Sequence, residues 1–110
     1  MSYSVSLTDD AATDLEELIE YIDGHDSAAS ADRVLEKIEA TLGSLARNPE
    51  RGVFPRELSA IGVREYREVF FKPYRIIYRV IGNEVLVLLI TDGRRDMQSL
   101  LERRLLEGRP

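Results

Sequence analysis

An α+β fold is predicted, with an N-terminal strand, an antiparallel helix hairpin, a three-strand antiparallel meander and a short C-terminal helix. Three observations point to it. Apolar residues recur at helical spacing in two runs between Leu15 and Leu45; strand-like patterning takes over from Val63; and Lys72-Pro73 and Gly82-Asn83 divide that second half into three. At 110 residues the chain has the length of one domain, so a single unit over residues 1–110 with one core is expected.

Tyr3, Val5 and Leu7 alternate with Ser2, Ser4 and Ser6, the period of a strand with one wet face. Thr8 then offers an N-cap hydroxyl, and Asp9 and Asp10 suit the positive end of a helix. Leu15, Leu18, Ile19 and Ile22 make its apolar stripe, which ends near Gly24. After the turn Asp23-Gly24-His25-Asp26-Ser27, a second stripe runs through Ala31, Val34, Leu35, Ile38, Leu42 and Leu45 until Pro49 ends it. The short connection makes the two helices antiparallel neighbours. Residues Asn48 to Gly62, punctuated by Pro49, Gly52, Pro55 and Gly62, read as an irregular crossing segment. Strands follow over Val63 to Phe71, Tyr74 to Ile81 and Glu84 to Thr91, with a hairpin turn at Gly82-Asn83. Val85 to Ile90 is continuously apolar, so both of its faces need cover, and the helix hairpin supplies only one. Met97, Leu100, Leu101 and Leu105 share one side of a C-terminal helix.

Composition narrows the chemistry. With no cysteine, disulfides, thiolate nucleophiles and Cys-based metal centres are excluded. The N-terminus lacks a basic segment followed by an apolar run, and the longest apolar run, Val85 to Ile90, is far too short to span a bilayer; a cytoplasmic protein without membrane contact is expected. The net charge of −5 is unevenly placed: residues 1–63 carry five Lys/Arg against thirteen Asp/Glu, and residues 64–110 carry ten against seven. The chain is electrically two-sided.

No Ser/His/Asp set, glycine-rich phosphate loop or metal-ligand spacing appears, and no cofactor is expected. The single histidine, His25, falls in the helix-hairpin turn among Asp23 and Asp26 and reads as a solvated residue. On the strand Tyr74 to Val80, period 2 puts Tyr74, Ile76, Tyr78 and Val80 on the core face and Arg75, Ile77 and Arg79 on the other. Two arginines there are either a floor for an anion or a partner, or are paired with Glu65, Glu68 or Glu84. Arg94 and Arg95, just after Gly93, are suited to phosphates or carboxylates, or else pair with Asp92 and Asp96 in a solvated turn. Glu57 is placed to serve as a general base if an RNA 2′-hydroxyl lay nearby.

Three segments resemble the ParE/RelE superfamily of toxins from type II toxin–antitoxin systems. They are Leu7-Thr8 with Ala11-Ala12 and Asp14-Leu15; Leu45-Ala46-Arg47-Asn48-Pro49 with Gly52; and Tyr74-Arg75-Ile76-Ile77-Tyr78-Arg79 with Gly93-Arg94-Arg95-Asp96. Their order and spacing cover nearly the whole chain. The resemblance implies a four-stranded antiparallel sheet packed on two helices, and a cognate antitoxin segment that wraps the toxin.

Two mechanisms occur in that superfamily. RelE-like members cut mRNA in the ribosome with basic residues, a strand arginine, and in many cases a carboxylate and a C-terminal tyrosine or histidine; Arg75 would match the arginine and Glu57 the carboxylate. ParE-like members inhibit DNA gyrase. No tyrosine or histidine follows Tyr78, so a proton donor for the leaving oxygen is missing from the tail, and the resemblance favours the ParE-like branch. The expected partners are then an antitoxin, with DNA gyrase as target and operator DNA reached only through the antitoxin. The expected binding residues are Arg75, Arg79, Arg94, Arg95, Met97, Leu100 and Leu101, around an apolar groove left open beside Val85 to Ile90. Arg75 and the Arg94-Arg95 pair are expected to form one site on the sheet face away from the helix hairpin.

Overall fold

The computed structural model describes residues 2–106. Its elements run in the predicted order: β1 (Ser4–Leu7), α1 (Asp9–His25), α2 (Ala28–Arg47), α3 (Arg56–Ser59), β2 (Arg67–Phe71), β3 (Tyr74–Ile81), β4 (Glu84–Asp92) and α4 (Met97–Leu101), the last continuing as a π-helical turn over Glu102–Leu106. α1 begins on the expected chemistry, with the Thr8 hydroxyl accepting from the Ala11 N–H, and α2 is capped alike, the Ser27 hydroxyl accepting from the Ser30 N–H. The crossing segment is not wholly irregular, since α3 lies within it. Residues Val63 to Tyr66 remain outside β2, although that strand was expected to begin at Val63.

The sheet order is β1-β4-β3-β2. β2, β3 and β4 are antiparallel, but β1 pairs parallel to β4, from Ser4 opposite Glu84 to Leu7 opposite Val87. This corrects the all-antiparallel sheet that the resemblance implied. The reason lies in the helix hairpin. α2 returns the chain to the start of β1, where the Tyr3 N–H donates to the Ala46 carbonyl at 2.8 Å. β2 therefore sets out in the same direction as β1, and two further reversals leave β4 parallel to it.

Each face of the sheet has its own core. On the helix side Ala11, Ile38, Leu42 and Leu45 pack on Val69, Ile76, Tyr78, Val85, Val87 and Ile90. On the other side Leu58 and Tyr66 join Met97, Leu100, Leu101 and Leu105 over Ile77 and Leu89. The expected groove beside β4 is thus largely closed from within: Met97, Leu100 and Leu101 are buried, and only Leu86 and Leu88 stay half-buried along Val85 to Ile90. A four-residue apolar stripe, helped by Leu58 of α3, has enough area to cover the far half of the strand.

β4 changes face in mid-strand. Ile77 pairs with Leu89 and Tyr78 with Val87, so Leu88 is an unpaired bulge residue. Val87 and Ile90 can therefore face the helices while Leu89 faces the second core. No helix among the described residues is long and apolar enough to cross a membrane.

Candidate functional site

Arg75 lies on the sheet face away from the helix hairpin, between two carboxylates. Its Nε and Nη2 donate to Glu68 at 2.6 and 2.9 Å, and its Nη1 and Nη2 donate to Glu57 at 2.9 and 2.8 Å. The side chains of Arg75, Glu57 and Glu68 are only 11%, 12% and 3% exposed. Glu68 comes from the neighbouring strand and Glu57 from α3, whose Leu58 is anchored in the second core. The bond from Arg75 holds the Glu57 carboxyl below the usual carboxylate range, against the opposing effect of burial. The stem of Arg75 passes beneath Gly93, where a Cβ would stand 2.6 Å from Arg75 Cδ, so that position demands glycine.

Arg75 is therefore not an open floor for an anion. Of the two readings the sequence left open for the strand arginines, pairing describes both: Arg75 with Glu68, and Arg79 with Glu65 at 3.6 Å on a half-exposed face. The pairing with Glu57 was not foreseen. The two residues that a nuclease reading would assign to separate roles hold each other instead, with both guanidinium edges occupied.

Arg94 and Arg95 behave differently. Arg94 is 77% exposed and pairs with Asp92, its Nη2 lying 2.5 Å from Oδ2; Arg95 reaches the Thr91 hydroxyl at 3.3 Å. Arg94 pulls the Asp92 carboxyl below its ordinary range. Asp96, the other expected partner, instead caps α4 by accepting from the Ser99 N–H. Both arginines line a groove of about 490 Å³ beside α1, with Asp14, Glu17 and Tyr21 opposite. The single site expected for Arg75, Arg94 and Arg95 is thus divided. The stem of Arg75 is near Gly93, but its charged end turns inward to Glu57 and Glu68, while the Arg94-Arg95 pair faces the groove.

One constellation escaped the sequence reading. Past Leu7, β4 has no strand on its β1 side, and side chains complete that edge. Asp14 Oδ2 accepts from the Ile90 N–H at 3.1 Å, Arg104 Nη2 donates to the bulge carbonyl of Leu88 at 3.1 Å, and Arg104 grips Asp14 with bonds of 3.0 and 2.9 Å. This clamp joins α1, β4 and the C-terminal helical turn. A signal was present: Asp14, three residues after Ala11 and four before Leu18, sits within the apolar stripe of α1, where a carboxylate needs a partner.

Tyr78 anchors the crossing segment. Its hydroxyl donates to the Pro49 carbonyl at 2.6 Å and accepts from the Gly52 N–H at 3.0 Å. A Cβ on Gly52 would come within 2.5 Å of that oxygen, so the close approach requires glycine. Among the described residues no cluster of three His, Cys, Asp or Glu could hold a metal ion.

These features can be set beside known proteins. Residues 5–97 match the family model described as the ParE toxin of the type II toxin–antitoxin system, parDE. Similar solved structures include the chromosomal ParDE toxin–antitoxin system of P. aeruginosa, with TM-score 0.68 and 20% identity over 83% of this chain and 96% of that one. The toxin–antitoxin complex RelBE2 of Mycobacterium tuberculosis gives TM-score 0.62 and 23% identity over 84% and 99% of the two chains. A mutant of E. coli toxin RelE in the free state gives 0.62 and 17% over 96% and 100%. No curated protein sequence matches significantly. At these identities the structures speak for the fold, which is the ParE/RelE-like α+β arrangement. The family model covers most of the chain, from the first strand to the start of the last helix, and the chain belongs to the ParE toxin family of type II toxin–antitoxin systems.

Proposed function

We propose that this toxin acts by binding and inhibiting DNA gyrase, and that a cognate antitoxin neutralises it. The observation that carries the reading is the closed Arg75–Glu57–Glu68 cluster: the strand arginine and the carboxylate that RNA cleavage would call upon are buried and committed to each other. A general base needs an accessible carboxylate within hydrogen-bond reach of the substrate, and Glu57 has both oxygens occupied by a guanidinium. Arg79, Arg94 and Arg95 remain exposed enough to meet a partner, and the groove beside α1 offers Arg94 and Arg95 on one wall. An antitoxin segment bearing carboxylates would engage these three. Contact with Met97, Leu100 and Leu101 would require α4 to lift from the second core.

The deciding experiment pairs two assays on the purified toxin. Supercoiling by purified gyrase should fall in proportion to toxin added and recover with the antitoxin, while mRNA in a translating extract should stay intact. Cleavage of mRNA with unimpaired supercoiling would overturn the reading in favour of a ribosome-dependent nuclease. Growth arrest on induction separates both from a chain that only binds its antitoxin.

A further inference from the structure

A second charged surface lies outside everything assigned above. Phe54, in the crossing segment just before α3, is 36% exposed, and two guanidinium groups stand over its ring: Arg67 at 4.6 Å and Arg64 at 5.6 Å from the centroid. Arg67 is pinned there by bonds from Nη1 to the Glu50 and Gly52 carbonyls, at 3.3 and 2.9 Å. Arg51, three residues before the ring, donates to the Ser44 hydroxyl at 2.9 Å. Among the described residues no carboxylate lies within ion-pair distance of Arg51, Arg64 or Arg67. On an acidic protein this gathers three cations without an ion-pair partner in one stretch of the fold, two of them over an exposed aromatic ring.

We infer that Phe54 with Arg51, Arg64 and Arg67 forms a docking site for a short stretch of single-stranded nucleic acid. The chemistry favours this class over an acidic peptide. All five cations of residues 47–67 are arginine and none is lysine, and the guanidinium fork matches phosphate oxygens in pairs while its flat face stacks on rings. An exposed ring flanked by arginine planes is the surface on which unpaired bases stack. Size and field argue against duplex: the patch spans one ring and three cations, and α1, with seven carboxylates and no Lys or Arg, would repel a long rod of phosphate. The proposal does not depend on gyrase being the target, since it rests on the patch alone.

The test is fluorescence anisotropy with the full chain, using labelled oligo(dT), oligo(U), a duplex and an Asp/Glu peptide of equal charge. The single strands should bind at low salt, with log K falling against log salt at a slope of about −2 for three phosphates neutralised. Phe54→Leu, which keeps the bulk and removes the ring, should weaken binding about tenfold at unchanged slope. Arg64→Ala should reduce the slope by about 0.7, and Arg33→Ala, an exposed cation in the first half of α2, should change neither quantity. Thermal melts of each variant show whether the fold is retained, and Arg64→Ala provides the reading if Phe54→Leu is unstable. Equal binding of oligo(dT) and oligo(U) supports recognition of base faces and phosphates; preference for one names the natural strand. Failure of both single strands to bind at about 20 mM salt overturns the inference. So does peptide binding of equal strength, or tighter binding to duplex, or indifference to both substitutions.

Discussion

Two arginine clusters stand at neighbouring ends of β3 and β4, each pairing a guanidinium with carboxylates and put to opposite use. Arg75 is enclosed by Glu57 and Glu68, with all three side chains nearly removed from water. Arg94, on the turn beyond β4, holds Asp92 in the open. In the first cluster the desolvation of three charges is offset only while every hydrogen bond is made, so the cluster locks α3, β2 and β3 together. In the second, water solvates either partner as well as the other does, and little stability depends on the pair. An arginine next to a carboxylate thus does not by itself announce a binding site; its burial decides whether it holds the fold or meets a partner.

The contrast is broken most sharply at its buried end. Arg75→Ala leaves two carboxylates facing each other without a cation and should destabilise the protein by about 3–5 kcal/mol in urea unfolding. Adding Glu57→Gln and Glu68→Gln to Arg75→Met should recover a good part of that loss, because buried charges without partners are the source of the cost. If the single Arg75 substitution leaves the urea midpoint unchanged, the cluster is not the lock described.

The Asp14–Arg104 clamp tests the intermediate case, being about one-fifth exposed at each partner. Asp14→Ala removes the acceptor of the Ile90 N–H and the partner of Arg104, and should cost about 1–3 kcal/mol. Hydrogen exchange at Ile90 should quicken in that variant, and at Leu89 hardly at all. Equal exchange at Ile90 in both proteins would show that the edge is sealed by something other than Asp14.

Acid titration separates the clusters in another way. Because Arg75 depresses the Glu57 carboxyl in the folded protein, its contribution is fully present above the ordinary glutamate pKa of about 4.3 and is lost as pH falls through the lower folded value. Stability of the wild type should therefore decline on going to acid from that point. Glu57→Gln, compared with wild type, should decline less over the same interval. A parallel decline would mean that Glu57 gains nothing from Arg75.

The smallest effect on stability belongs to the exposed end. Substituting Arg94 and Arg95 together by alanine should leave the urea midpoint within experimental error, while charge reversal of the pair should abolish toxicity on induction. Retained toxicity would remove the pair from the proposed partner surface, and a shifted midpoint would show that the turn contributes more to the fold than its exposure suggests.

Local periodicity was enough to read the element order: Val5 and Leu7 for β1, the stripes through Leu15 to Ile22 and Ala31 to Leu45 for the hairpin, and Lys72-Pro73 and Gly82-Asn83 for the meander. Those signals are properties of a few neighbouring residues, which is why one chain displays them without its fold. The need to cover both faces of β4 was legible in the same way, from the absence of polar residues between Val85 and Ile90. The direction of β1 was not, because it depends on where α2 delivers the chain, beside Tyr3. The bulge at Leu88 was hidden too, since a one-residue shift of register leaves no mark on a run that is apolar throughout.

The charged sites divide along the same line. Sequence alone determined that Arg75, Arg79, Arg94 and Arg95 stand on or just after strands of the meander, and that Glu57 lies in the segment crossing to it. Only the tertiary structure decided that Glu57 and Glu68 close around Arg75 across separations of 18 and 7 residues, that Asp14 meets Arg104 across 90, and that Arg94 remains in water. The physical reason is that a charge's role is set by its distance to other charges and by the solvent it keeps, and both are fixed by contacts between residues far apart in the chain.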